Sequence, residues 1–484
     1  MLARSKMYIQ SAWEMRKKRD CIEWIFFLVG IMFYCGYAVY TYYECPFESF
    51  ISKFYLIDLF YEGDLTFKDL LVPYAEHGQL ASCILFLINV HLFNFTTFFD
   101  MAVNIFLCVI PMAVVMMFYP IKRLGIKKKG TLYYMALLLL TMCMFTCMQQ
   151  GAGGMSLQVR LGLSSFTVLS VLIDIYIMSE KKSIRLYWII ILSVFLTLNF
   201  WGTAYNFAGI PVTCALLCLL FLGGIFLKRQ VRFDYIGIVL AHVIAFVLYF
   251  FEYNLIGMGA SEGTSTGLLS MLMTINYKEL FGGLLCWCSS IFLGRYALED
   301  GHISGNLYLA IGAMVLLLIV VAIVCYFRYK MYEKSILPVL FLGYFFVLYI
   351  ELFLTRNQVA GWIWFCSSWY WVHTKVASAS LIWIFLYSCD KREHAIYVDK
   401  VKMALTCVVT IGCIFLTMFG TLVNIKRLPA EKNWIDQKKQ YFYVESSEEM
   451  PVDESGITPL FHPLDKSMWA IDVLKKYELS LFRD

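Results

Sequence analysis

The chain has 484 residues, 60% of them hydrophobic and only 15% charged, with 40 Lys and Arg against 35 Asp and Glu for a formal net charge of +5. Mean hydropathy is +0.69. Soluble chains average nearer half apolar and a quarter charged, so a water-soluble enzyme is excluded and one large helical bundle in lipid is expected.

From the N-terminus, the MRKKRD stretch opens like a signal peptide. The apolar run behind it is too long for one, and no small-residue cleavage site follows before Thr41, Tyr42, Tyr43 and Glu44. It reads as a first span near 21–43 that also serves as export signal. Runs matching a hydrocarbon core, roughly 20 residues each, recur near 98–119, 131–149, 158–178, 186–201, 208–227, 235–256, 306–327, 336–354, 372–389 and 402–424. Backbone groups in lipid must be satisfied within the segment, so each run is a helix. The ten-residue alternation of a lipid-facing barrel is absent. The expected fold is all-α: a polytopic transmembrane helical bundle of about 11 spans over residues 1–424, with a tail over 425–484.

Lys and Arg set the orientation. Six lie in the N-terminal segment through Arg19, and the connections at 122–129, 181–185, 228–232, 328–334 and 391–402 hold 5, 3, 3, 3 and 4. That is 24 of the 40, whereas the loops 44–97 and 257–305 hold two each. The N-terminus is expected inside and the C-terminus outside. By the same parity, residues 79–96 do not cross. They are expected to lie along the outer membrane face as an interfacial helix, with His91 and Asn94 toward water, while 280–295 either stays outside or dips in and returns. The 16 Cys fall mostly within spans, and neither a disulfide framework nor a CxxC metal pattern is implied. No internal repeat is visible, which weighs against an inverted-repeat transporter.

Polar residues at depth or in large outside loops carry the functional reading. The 44–97 loop is acidic, and Asp69 and the adjacent Glu76–His77 pair sit at its membrane junction. A partly desolvated carboxylate beside an imidazole can act as a general base toward a sugar hydroxyl; the plainer reading is that these acids only keep the loop wet. Arg160, Arg295, Arg356 and Lys375 lie at outer span ends. Guanidinium forks suit phosphate oxygens, although for any single one snorkelling to headgroups is the simpler explanation. Trp362, Trp364, Trp369, Tyr370 and Trp371 form either an interfacial belt or a sugar-stacking surface. Asp100 and Glu252 lie near outer span ends, Glu351 is placed to pair with Arg356, and Asp174 reads as structural.

A short inner N-terminus, one span, a long acidic outside loop with a re-entering helix, many further spans and an outside C-terminus together resemble the polytopic bacterial GT-C glycosyltransferases. PYAEHG matches their Glu-His-Arg motif at Glu76 and His77, with Gly78 in place of Arg. MQQGAGGMSLQ keeps Gln149 or Gln150 and Gln158 of a second motif without its Glu-Asn; TAYNFAGIP, with Asn206 and Gly209, is similar to a third. SSWYW keeps Ser368 and Tyr370 of a fourth and loses its Arg, and AIDVLKKYELSLF is similar to the family's tails. The resemblance implies a plasma-membrane enzyme with its active site on the extracytoplasmic face. It implies transfer of a sugar from a polyprenyl-phosphate carrier to a surface glycan or lipid-linked acceptor. Glu76, or Asp69, takes the base role with His77 beside it, and Arg160, Arg295, Arg356, Lys375, Gln158 and Tyr370 contact substrate. Donor, acceptor and membrane lipids are the expected partners, with no nucleic acid; no cofactor is called for, and a divalent metal is left open. The alternatives are a polysaccharide polymerase or ligase, and a lipid-linked-glycan transporter or flippase.

Overall fold

The computed structural model describes residues 2–42, 51–72, 80–126, 130–146, 156–201, 208–228, 231–255, 275–360, 368–391, 396–454, 456–460 and 463–482. Its helices are α1 (Leu2–Tyr40), α2 (Tyr55–Glu62), α3 (Phe67–Leu70), α4 (Leu80–Phe93), α5 (Thr97–Val103), α6 (Ile110–Leu124), α7 (Thr131–Phe145), α8 (Ser156–Met178), α9 (Ile184–Trp201), α10 (Ile210–Lys228) and α11 (Phe233–Leu255). They continue as α12 (Tyr277–Ser289), α13 (Tyr296–Glu299), α14 (Gly305–Arg328), α15 (Leu337–Ala360), α16 (Ser368–Asp390), α17 (Ile396–Lys439) and α18 (Leu464–Lys476). Among the described residues there is no strand, only one isolated bridge between Ile457 and Pro463.

A helix covers each apolar run seen in the sequence. Among the described residues, six stretches are long and apolar enough to cross a membrane: Cys21–Tyr40, Thr97–Leu124, Arg160–Met178, Gly305–Arg328, Leu337–Leu354 and Ala404–Ala430. Five more apolar helices are shorter. Large apolar side chains such as Phe106, Leu192, Leu317 and Phe415 are exposed around the bundle, as a lipid-facing surface requires. Helix α16 is buried without a break from Val372 to Ile384. Protein surrounds it, so it carries His373, Thr374, Lys375, Ser378 and Ser380 where a lipid-facing helix carries apolar residues.

At one end of the bundle the first loop and the tail fold together into a cap. Ile51, Phe54, Ile57, Cys83, Phe86 and Val90 share one apolar core with Phe442, Ala470, Ile471 and Leu474. The Ser480 amide donates to the Asn94 carbonyl at 2.9 Å, Tyr61 stacks on Tyr477, and the Lys476 ammonium reaches Asp58 and Glu62. Helix α4 buries one face in this core and leaves His91, Leu92 and Phe93 exposed, with Asn94 exposed just beyond its end. Its turn into α5 is tight: Asn94 and Phe95 both have φ above +50°, a conformation a bulky residue adopts only when its surroundings enforce it. The Asn89 side chain enforces it, accepting from the Thr96 amide and donating to the Thr96 carbonyl. The tail begins as helix, because α17 runs on through residue 424 to Lys439 with Pro429 inside it.

Residues 277–295 fold back against α14 and α15. The Trp287 indole donates to the Phe345 carbonyl of α15, and Phe292 lines an apolar crevice with Leu132, Leu318 and Leu381. Helix α12 meets α14 so closely that a Cβ on Gly312 would collide with the Leu285 carbonyl oxygen. One correction concerns cysteine: Cys286 is disulfide-bonded, while the other described cysteines are free. Its CxC setting in an apolar stretch gave no sequence signal for a bridge.

A polar recess at the end of a short helix

Helix α7 has 15 residues, about 22 Å at 1.5 Å per residue, short of a hydrocarbon core of ~30 Å. It stops inside the bundle, where the Phe145 ring packs against Gly30 in the middle of α1. Four residues supply what its end lacks. Lys375, 1% exposed on the buried helix α16, donates its ammonium to the Met144 carbonyl, so a cation sits on the negative end of the α7 dipole. The Thr146 hydroxyl bonds that of Thr421 on α17 at 3.0 Å. Thr417, Thr421 and Asn424 lie at i, i+4 and i+7 and share one helical face. Asn424 is 1% exposed, and neither its amide oxygen nor its amide nitrogen has a hydrogen-bond partner.

Tyr34, one turn along α1 from Gly30, carries the other side of the recess. Its hydroxyl accepts from Asn104 Nδ2 and from Arg160 Nη1, both at 3.2 Å. Asn104 opens a π-helical segment, Asn104–Val109, between α5 and α6. π-bulges open the backbone ladder, and the Ser164 hydroxyl of α8 donates to the Leu107 carbonyl within it at 2.9 Å. Arg160 is 4% exposed, its Nε has no partner, and no carboxylate among the described residues pairs with it. Leu428, one turn beyond Asn424, packs on Tyr37, just beyond Tyr34, which puts Asn424 and Tyr34 at one depth. Arg160, bonded to Tyr34, and Lys375, bonded to the carbonyl next to the Phe145 that packs on Gly30, therefore lie within about one helical turn of each other in depth along α1.

Above this level lies the buried Asp100 carboxylate, one turn before Asn104, which accepts from Asn89 Nδ2 at 3.0 Å. Lys53 donates to the Ser82 hydroxyl at 2.8 Å. Burial holds the Lys53 ammonium below the usual lysine range, against the Cys83 thiol and the Asp100 carboxylate, which favour its charge. Polar contacts thus run from the cap into the bundle through α5.

Of the candidate substrate contacts singled out in the sequence, Arg160 and Lys375 are buried within the bundle. Asp69 is exposed, and its Oδ2 accepts from the Thr66 amide at 2.7 Å and the Thr66 hydroxyl at 2.6 Å. These bonds lower its pKa, the hydroxyl's more than the amide's, and tie the carboxylate to the first turn of α3. Arg295 pairs with Glu299 one turn on and is one-third exposed, away from the recess. Gln158, Arg356 and Tyr370 are placed by their helices α8, α15 and α16; their side chains, and the whole of Glu76 and His77, lie outside the described residues. Asp174 accepts from Tyr119 and the Ile336 amide at the opposite end of the bundle, a structural role. Tyr34, Asn104, Thr421 and Asn424 were not anticipated, although a Thr-Thr-Asn stripe inside an apolar span was a readable signal. Among the described residues no three His, Cys, Asp or Glu side chains gather as a metal site.

Comparison with protein-family models, with curated proteins and with solved structures finds no match for this chain.

Proposed function

We propose that this protein is a plasma-membrane glycosyltransferase that moves a sugar from a polyprenyl-phosphate carrier to a surface glycan or lipid-linked acceptor. In this reading the chain crosses the bilayer about 11 times, with its N-terminus inside and the cap outside. The observation that carries it is Arg160, a buried guanidinium with one neutral partner at the cap end of the bundle. A buried charge calls for a counter-charge, and a lipid phosphate entering at headgroup depth supplies one. Negative charge develops on that phosphate as the sugar leaves, so a guanidinium there favours the transition state over the ground state. Two further facts fit. First loop and tail pack on each other, so an even number of crossings separates them. A disulfide at Cys286 suits an oxidising outer compartment.

Helix α7, ending inside the bundle, favours a second reading, a lipid-linked-glycan flippase, because transporters build substrate sites at broken helices. Purified protein supplied with a panel of polyprenyl-phosphate sugars and acceptors decides between them. Release of free polyprenyl phosphate by wild type, lost in Arg160→Met and Glu76→Gln, is the expected result. Carrier movement across vesicles without sugar release would replace the transferase with the flippase, and neither activity would remove both.

A further inference from the structure

The Thr417–Thr421–Asn424 face of α17 has no part in holding the bundle's apolar core, yet it is buried against the end of α7. Thr417 and Thr421 return their hydroxyl protons to carbonyls of their own helix, Cys413 and Thr417. That leaves their oxygens as acceptors, Thr421's meeting the Thr146 hydroxyl and Thr417's the Cys143 thiol. Asn424 offers one acceptor and two donors and uses none of them. Buried amides of this kind are ordinarily completed by a partner. No group among the described residues completes this one.

We propose that Asn424, with Thr421, forms the subsite for the donor's sugar, beside the phosphate subsite at Arg160. Alternating donors and acceptors on one face match vicinal hydroxyls, each of which both donates and accepts. Arg160 lies at the same depth across α1, so one ligand joining an anion to a polyhydroxyl ring meets both requirements. A free phosphate satisfies only Arg160, and a phospholipid with no hydroxylated headgroup leaves Asn424 bare. The subsite rests on the glycosyl-transfer reading and narrows it: sugar identity is read inside the bundle, at α17, rather than in the acidic first loop.

The test is equilibrium binding to the full-length protein in nanodiscs, using long-chain polyprenyl phosphate either bare or linked to glucose, galactose, mannose or N-acetylglucosamine. Wild type should bind one sugar-linked form at least about tenfold more tightly than the bare carrier, the scale of one or two hydrogen bonds. Asn424→Leu should erase that preference while leaving bare-carrier affinity unchanged, and Arg160→Met should weaken both forms together. Thr421→Val, nearly the same shape, should reduce the preference and stands in should Asn424→Leu fail to fold. A preference that survives both α17 substitutions, or no preference in wild type, overturns the sugar subsite and leaves the phosphate reading intact. Failure of wild type to bind either form overturns the glycosyl-transfer reading, and the subsite with it.

Discussion

Arg160→Met separates a residue kept for the fold from one kept for a ligand. Among the described residues the guanidinium makes one hydrogen bond, to the neutral Tyr34 hydroxyl at 3.2 Å. A net hydrogen bond returns about 1 kcal/mol, whereas removing an ion from water costs several kcal/mol even after relaxation. Arg160 is therefore a net cost to the unliganded fold. Methionine keeps most of the side-chain volume, and Tyr34 keeps Asn104 as its donor. Unfolding free energy is expected to stay level or rise by about 1–3 kcal/mol, as when buried charges elsewhere are replaced by apolar residues. Ligand binding should move the other way. Two charge-assisted bonds to phosphate, each worth about 1.5–3 kcal/mol, correspond to a loss of about 10²–10⁴ in affinity. Thermal unfolding in detergent, with and without polyprenyl phosphate, reads both effects: wild type should gain stability with ligand and the variant should not. A variant that melts lower than wild type without ligand would refute the reasoning, because Arg160 would then hold the fold.

Gly312→Ala drives a methyl into the Leu285 carbonyl, so it should cost about 3 kcal/mol, the upper end for overpacking. Gly412→Ala, with nothing within 4 Å of its Cβ, should be neutral or slightly stabilising; equal melting temperatures for the two would contradict the α12–α14 contact. Ile471→Asp places a carboxylate in the cap core and should release α18 from α4. Cys83, now buried, should then react at least about tenfold faster with a membrane-impermeant maleimide added outside intact cells, read by peptide mass spectrometry; reaction only from the inside would reverse the proposed orientation. At Asp69, hydrogen bonds from Thr66 hold the folded pKa below the ordinary 3.8. A depressed carboxylate stabilises the fold above its unfolded pKa and loses that contribution as pH falls through the folded one. Acid should therefore loosen α3 below about pH 4 in wild type but not in Asp69→Ala, measured by hydrogen exchange at 66–70. Sugar transfer at neutral pH that survives this substitution would leave Asp69 a helix cap alone.

The residues that make the recess show what local sequence can convey. Arg160 and Lys375 stood out as cations at outer span ends, where a guanidinium or ammonium can meet phosphate oxygens. Asn424 and Thr421 did not: their spacing on one helical face was readable, but only the fold shows that Asn424 is buried without a partner. Asp69 drew attention as an acid at a membrane junction, yet its nearest donors are three residues away in its own turn. A charge at an expected depth does not reveal whether a local cap has already claimed it.

By itself the sequence determined the class and the helices, since apolar runs of bilayer length leave the backbone no other way to satisfy itself. Tertiary structure alone decided that the tail and the first loop share one core, that residues 277–295 fold back between α14 and α15, and that α7 ends at a lysine from α16. Those outcomes depend on contacts between segments far apart in the chain, such as Lys375 with Met144 and Ser480 with Asn94. Composition and periodicity report only which face of a helix is apolar, and packing decides what that face meets.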